Sequence, residues 1–126
     1  MNGMRLTVPL LMLTLGLIPT AGIAADTAAG QAIFNRCKIC HTLESGDRNT
    51  VGPNLHGVFG RKAGTSEGFV YSEGMKSSGI TWDDEQVAKY LHNPREFIPG
   101  NKMAFPGIKD DKEMADLLAY LHEATK

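Results

Sequence analysis

The feature that most restricts how this chain folds is a stretch without pattern. From Thr42 to Gly79 the residues are rich in Gly, Ser and Asn. They show neither apolar positions at helical spacing nor the alternation of a strand. A loop that long has no natural place inside a compact domain unless it wraps something. Directly before it stands Cys37-Lys38-Ile39-Cys40-His41, which holds the only two cysteines of the chain. The sulfurs and the longest loop are therefore adjacent, and one explanation has to serve both.

Outside that loop the helical signals are plain. Thr27 to about Lys38 predicts a first helix, capped by Asp26 or Thr27, with Ile33, Phe34 and Cys37 on one side. Gly30 inside it costs about 1 kcal/mol relative to Ala, which makes sense where another helix crosses closely. A second helix is expected over about Asp83 to Asn93, with Thr81 as cap and Pro94 as stop. The third runs over Asp111 to Glu123. Asp110 caps it, Glu113 completes a capping-box pattern, and Met114, Leu117, Leu118 and Leu121 form its apolar stripe. A short helical turn is expected around Ser72 to Lys76. The fold class is all-α, with long loops.

Composition adds limits. The chain has 126 residues, 42% hydrophobic and 21% charged, which suits one small globular domain. A net charge of -1 gives no footing for nucleic acid. Residues 1–25 differ in kind: a short basic start with Arg5, an apolar run from Leu6 to Ile18, then small residues through Ala25. This is the pattern of a secretory leader cleaved near Ala24 or Ala25. The apolar run is about 13 residues, short of the roughly 20 that span a bilayer. Cleavage removes Arg5 and no acid, leaving 12 Lys and Arg against 14 Asp and Glu in residues 26–126, a net of -2. The expected location is the bacterial periplasm, outside the reducing cytoplasm.

Four chemistries compete for the two cysteines. Zinc wants about four ligands, and no second Cys pair or close His pair is present. A thioredoxin-like dithiol belongs beside a βαβ pattern, which is missing. A plain disulfide leaves His41 unexplained. Cys-x-x-Cys-His is the attachment signature of c-type haem: two thiols on one helical turn form thioethers, and the next residue offers an imidazole to the iron. Candidates for the other axial position are Met75, Met103, Met114, His56, His92 and His122. Met114 is explained as core, and His92 and His122 as solvated. Met103 lies in EFIPGNKMAFPGIKD, where Pro99, Gly100, Pro106 and Gly107 stiffen a loop that no helix or strand claims. A rigid apolar loop is what a weak iron–thioether bond needs.

The segments CKICHT, GPNLHGVFGRKAG, GFVYSEG, GITWDDE, YLHNPREFIPGNKMAFPGI and LLAYLHEATK follow one another without large insertions. In that order the chain resembles the class I, mitochondrial-type cytochromes c over residues 26–126. The resemblance implies one covalently bound haem c, held through Cys37 and Cys40, with His41 and Met103 as axial ligands. It implies that the Pro53 carbonyl accepts from the His41 imidazole. Arg61, Tyr71 and Trp82 would bond to the haem propionates, and Tyr90 would lie near the methionine sulfur. Leu55 and Phe105 would pack on the haem, and Gly30, Phe34, Leu117 and Tyr120 would form a helix crossing. Two positions depart from the family's habit. Asn101 stands for a usual threonine beside a propionate, where its amide would donate, and Met75 for a usual asparagine.

The implied function is one-electron transfer without catalysis, by a monomeric shuttle between redox enzymes. A dedicated electron-transfer subunit of a periplasmic dehydrogenase is the alternative, followed by a haem peroxidase or ligand-binding protein. Arg36, Arg95, Lys102 and Lys109 flank the motif and the methionine loop, and are expected to steer acidic redox partners electrostatically. Nothing in the sequence names the donor or the acceptor.

Overall fold

The computed structural model describes Gly16 and residues 24–126. The expected leader, residues 1–25, falls almost wholly outside them. Five helices follow in chain order: α1 (Thr27–Phe34), α2 (Glu73–Ser77), α3 (Asp84–His92), α4 (Pro94–Phe97) and α5 (Asp111–Ala124). Among the described residues the only extended pairing is one antiparallel bridge between Lys62 and Thr81.

Each helix start is set by a short polar side chain. Asp26 accepts from the Ala29 N–H at 3.1 Å, and Asp110 from the Glu113 N–H at 2.8 Å. Both satisfy donors that a helix cannot satisfy by itself. The cap of α3 is Asp83, whose carboxylate accepts from Gln86 N at 2.8 Å. This corrects the expectation of Thr81, which is two residues too early and belongs to the extended bridge with Lys62. Pro94 does stop α3, but it also opens α4, with Asn93 as cap. Proline suits a first helical position because it has no N–H to leave unpaired. The α2 turn starts at Ser72, close to the expected place.

The first helix ends earlier than its periodicity suggested. Beyond Phe34 the chain tightens into three-residue turns: Arg36 N donates to Ile33 O at 3.1 Å and Cys37 N to Phe34 O at 2.7 Å. Cys40 N and His41 N then both donate to Cys37 O, at 3.0 and 2.9 Å. The cysteine motif is thus a compact turn growing out of α1.

The frame is the crossing of α1 over α5. Gly30 is buried at the crossing point, where an added Cβ would run into the Asp116 carbonyl oxygen and lie 2.8 Å from Tyr120 Cβ. Only a glycine lets the two backbones come this close. Phe34 packs against Tyr120 with ring centroids 5.6 Å apart, and Leu117 beside them is fully buried. Asp116 closes the crossing from below: its Oδ1 accepts from Asp26 N at 2.8 Å, and Lys112 Nζ sits 2.7 Å from both carboxylate oxygens.

The long loop is ordered by side-chain amides in place of regular structure. Asn54 Nδ2 donates to Glu44 O at 2.8 Å and Asp47 O at 3.0 Å, and its Oδ1 accepts from His56 N at 2.8 Å. Asn49 accepts from Asn54 N at 2.8 Å and donates to Glu67 O at 2.9 Å. Backbone pairs then tie the loop to the frame: Gly57 N to Thr125 O at 2.6 Å, and Gly60 N to Trp82 O at 2.7 Å. The buried side chains divide into two clusters. One is built on Val58, Trp82, Val87, Tyr90 and Ile98, and the other on Phe34, Ile108, Met114, Leu117 and Leu121. Leu55, Phe59, Leu91 and Leu118 touch both.

Candidate functional site

Between these clusters lies an apolar cleft of about 250 Å³. Its walls come from α1, α3, α5, the long loop and the segment after α4. Of the residues singled out in the sequence, Cys37, Cys40, His41, Pro53, Leu55, Arg61, Tyr71, Trp82, Tyr90, Met103 and Phe105 all line it. Positions spread over some 70 residues of sequence therefore converge on one space.

His41 is held on two sides. Its Nδ1 lies 2.8 Å from the Pro53 carbonyl oxygen. A carbonyl can only accept, so Nδ1 carries the hydrogen and Nε2 keeps its lone pair. Gly52 backs the ring: a Cβ there would sit 2.6 Å from Cε1 and 2.8 Å from Nδ1. Burial lowers the His41 pKa, and the Pro53 hydrogen bond only partly opposes this, so the imidazole stays neutral. A neutral imidazole with one oriented lone pair is a metal ligand in waiting.

Cys37 and Cys40 are both half-buried and not bonded to each other. Burial pushes the Cys37 thiol up, with Arg36 opposing and Cys40 adding to the rise. A raised Cys37 lacks the low pKa that activates a redox dithiol. No cluster of three His, Cys, Asp or Glu side chains suited to a metal ion occurs among the described residues.

Polar groups at the cleft are few. Arg61 spends two N–H groups on His56 O and Asn54 O, at 3.1 and 3.3 Å, and has three more to offer. The Tyr71 hydroxyl oxygen accepts from Ser66 N at 3.1 Å, which leaves its hydrogen free to donate. Trp82 is 8% exposed and stacks obliquely on Tyr90, with centroids 5.3 Å apart. A flat apolar group carrying a few carboxylates fits this lining: apolar walls for its faces, and Arg61 and Tyr71 for its charges.

Asn101 is the exception among the expected residues. It does not line the cleft. Its amide is engaged entirely with the protein, through Met103 N, the Tyr90 hydroxyl, Pro94 O and Ile98 O. The expected donation into the site is corrected accordingly, because two carbonyls at α4 have already taken both of its N–H bonds. Sequence reasoning also missed Gly52. Its place between the cysteine turn and Pro53 was a usable signal, since the ring of His41 has to rest against something small. Met75, noted as a departure and as one candidate for the other axial position, lines the cleft as well.

A profile of the cytochrome c family matches residues 27–125. The chain belongs to the cytochrome c family. It is 44% identical to a cytochrome c2 of Blastochloris viridis over 119 residues, covering 94% of this chain and 92% of that protein. It is 48% identical to a cytochrome c of Stellaria longipes over 80% of this chain and 94% of that one. A cytochrome c of Arabidopsis thaliana is 46% identical over 82% and 94% of the two chains. The architecture is accordingly the small all-α cytochrome c fold. Members of this family bind haem c covalently and carry electrons without being enzymes, and Cys37, Cys40 and His41 have the spacing of the attachment motif.

Proposed function

We propose that this cytochrome c is an exported one-electron shuttle whose haem is held by Cys37 and Cys40 and ligated by His41 and Met103. The observation that carries the reading is the state of His41. Its Nδ1–H is spent on Pro53, Nε2 is free, and Met103 lines the same cleft as the two cysteines. When bound, haem c supplies an Fe(II)/Fe(III) couple.

The chain's own residues do the rest. Pro53 fixes the imidazole tautomer, and Gly52 lets the ring seat without strain. Arg61, Tyr71 and Trp82 meet the propionates, so that buried carboxylates are paired and hydrogen-bonded. Leu55, Phe105 and the two apolar clusters keep water from the iron, which together with thioether ligation favours the reduced state. His41 and Met103 would be the side chains that hold the iron, and the chemistry the group would supply there is one-electron transfer.

Residues 1–25 act in this reading as a cleaved leader and residues 26–126 as the working monomer in the periplasm. No helix of the described residues is long and apolar enough to cross a membrane. Partners are redox proteins that dock transiently at the cleft. Arg36 and Lys102 line its mouth, Arg95 is exposed on α4, and Lys109 is turned back onto His92 O. Lys102 likewise donates to Val70 O, and both lysines are exposed, so all four residues of the sequence reading can contribute to a positive rim.

The test is a peptide map of the protein from its native host. Residues 37–41 should carry one haem mass that survives acid extraction. The oxidised protein should show the long-wavelength sulfur-to-iron charge-transfer band, and Met103→Ala should abolish it. Free thiols at 37 and 40, or a band that persists in Met103→Ala, would overturn the assignment.

A further inference from the structure

Asn101 is the one residue of the methionine loop whose side chain reaches three different elements. Its Oδ1 accepts from the Met103 backbone N–H at 2.9 Å and from the Tyr90 hydroxyl at 3.2 Å. Its Nδ2 donates to Pro94 O at 2.8 Å and to Ile98 O at 2.9 Å. An amide offers two lone pairs and two N–H bonds, and here all four are used. The orientation is fixed by chemistry: the Nδ2 side faces two carbonyls, which only accept, and the Oδ1 side faces a backbone N–H, which only donates. A flipped amide would set oxygen against both carbonyls.

The anchors on each side are firm. Pro94 is fully buried and Ile98 is 2% exposed, so the carbonyls that hold Nδ2 belong to the core. Tyr90 is buried on α3 and lines the cleft together with Met103. A phenol has one hydrogen to give. Because the Tyr90 hydroxyl gives it to Asn101, it has none left for a sulfur.

We propose that Asn101 is the positioning residue of the methionine loop: its amide fixes the Met103 backbone and claims the Tyr90 hydroxyl hydrogen, so that Tyr90 gives no hydrogen bond to the Met103 sulfur. The proposal rests on the reading of Met103 as axial ligand. Its consequence is electronic as well as mechanical. A hydrogen bond to the sulfur would draw electron density from it and weaken its donation to Fe(III), which raises the reduction potential. Asn101 withholds that bond.

The experiment uses the haem-loaded protein and five variants: Tyr90→Phe, Asn101→Ala, Asn101→Asp, and Tyr90→Phe combined with each Asn101 change. Two readouts are taken, the reduction potential and the hydrogen exchange of the Met103 amide. In the parent, Tyr90→Phe should leave the potential nearly unchanged, since the deleted hydroxyl was bonded elsewhere. With Asn101→Ala the freed hydroxyl can turn to the sulfur, so adding Tyr90→Phe should now lower the potential clearly. The same Asn101→Ala change should speed exchange at Met103 by about tenfold, the cost of one lost hydrogen bond. Asn101→Asp, as the protonated acid, keeps an oxygen for Tyr90 and a hydrogen for one of the two carbonyls, so there the Tyr90→Phe effect should stay as small as in the parent; should Asn101→Ala fail to load haem, a clear drop in potential on Tyr90→Phe in the parent itself overturns the claim.

An equal drop in potential on Tyr90→Phe in parent and Asn101→Ala would overturn the claim on the hydroxyl hydrogen. Unchanged exchange at Met103 would overturn the positioning role. Absence of the sulfur-to-iron band in the parent would remove Met103 as ligand and the electronic half with it. The amide exchange in that same sample decides the positioning half independently.

Discussion

The α1–α5 crossing and the methionine loop solve opposite problems. At the crossing two backbones are brought together by the absence of a side chain at Gly30, and apolar surface on Phe34, Leu117 and Tyr120 does the holding. In the methionine loop, residues 98–110 form no helix, and order comes from directed hydrogen bonds at Asn101 and from the Lys102 Nζ bond to Val70 O at 2.9 Å. The burial that secures the crossing is non-directional and large in sum. The bonds of the loop are individually worth about 1 kcal/mol and depend on geometry. A carrier needs both: a frame that does not move, and a ligand loop whose chemistry can be adjusted without unfolding the frame.

The comparison can be broken most directly at Gly30. Gly30→Val places a branched side chain against the Asp116 carbonyl and should destabilise the fold by about 3 kcal/mol in denaturant titrations. If the loss is under about 1 kcal/mol, the crossing is not the frame.

A smaller effect is expected from Tyr90, which ties the methionine loop to α3. Burial pushes its phenol pKa up to about 12, against about 10 in an unfolded chain. The folded state therefore holds this proton when the unfolded state has lost it. Stability is whole below about pH 10 and falls as the pH rises from about 10 to about 12. Tyr90→Phe should flatten that alkaline fall by up to about 2 kcal/mol, read from melting curves across the range.

Met103→Ala should separate the regions. It should erase the sulfur-to-iron band yet weaken hydrogen-exchange protection in α1 and α5 by less than about 1 kcal/mol, because Met103 packs only on the other cluster. Comparable losses in both places would show one cooperative unit.

The smallest effect belongs to Asp116 beneath the crossing. The Asp26 N–H and then the Lys112 ammonium hold its pKa below the ordinary carboxylate value. Its side chain is buried, while the Lys112 side chain that pairs with it is half exposed, so only one partner of the pair is open to screening by water. A depressed carboxylate stabilises the fold above its unfolded pKa, and that contribution is lost as pH falls through the lower folded value. Asp116→Asn should therefore show a shallower acid transition than the parent, by thermal melts between neutral and strongly acid pH.

The three main helices, the cysteine turn and the helix crossing were readable in advance, because each is written locally: a cap residue, a period of 3.6, a glycine placed against that period. The place of Met103 on the cleft was readable for a different reason, as a methionine in a segment that no regular structure claimed. The cap at Asp83 and the end of α1 at Phe34 were misplaced by two and four residues, the second because turns with three-residue bonds carry no periodicity of their own.

By itself the sequence determined the chemistry on offer: two thiols, an imidazole beside them, a thioether far along the chain, and apolar residues enough for one small core. Only the tertiary structure decided how those groups are presented. It set which nitrogen of His41 is free, since that depends on a carbonyl twelve residues away. It turned Asn101 from the cleft toward the loop, since an amide bonds to whatever donors and acceptors the folded chain brings within 3 Å. Composition and spacing specify which bonds are possible; the crossing of elements remote in sequence selects the ones that form.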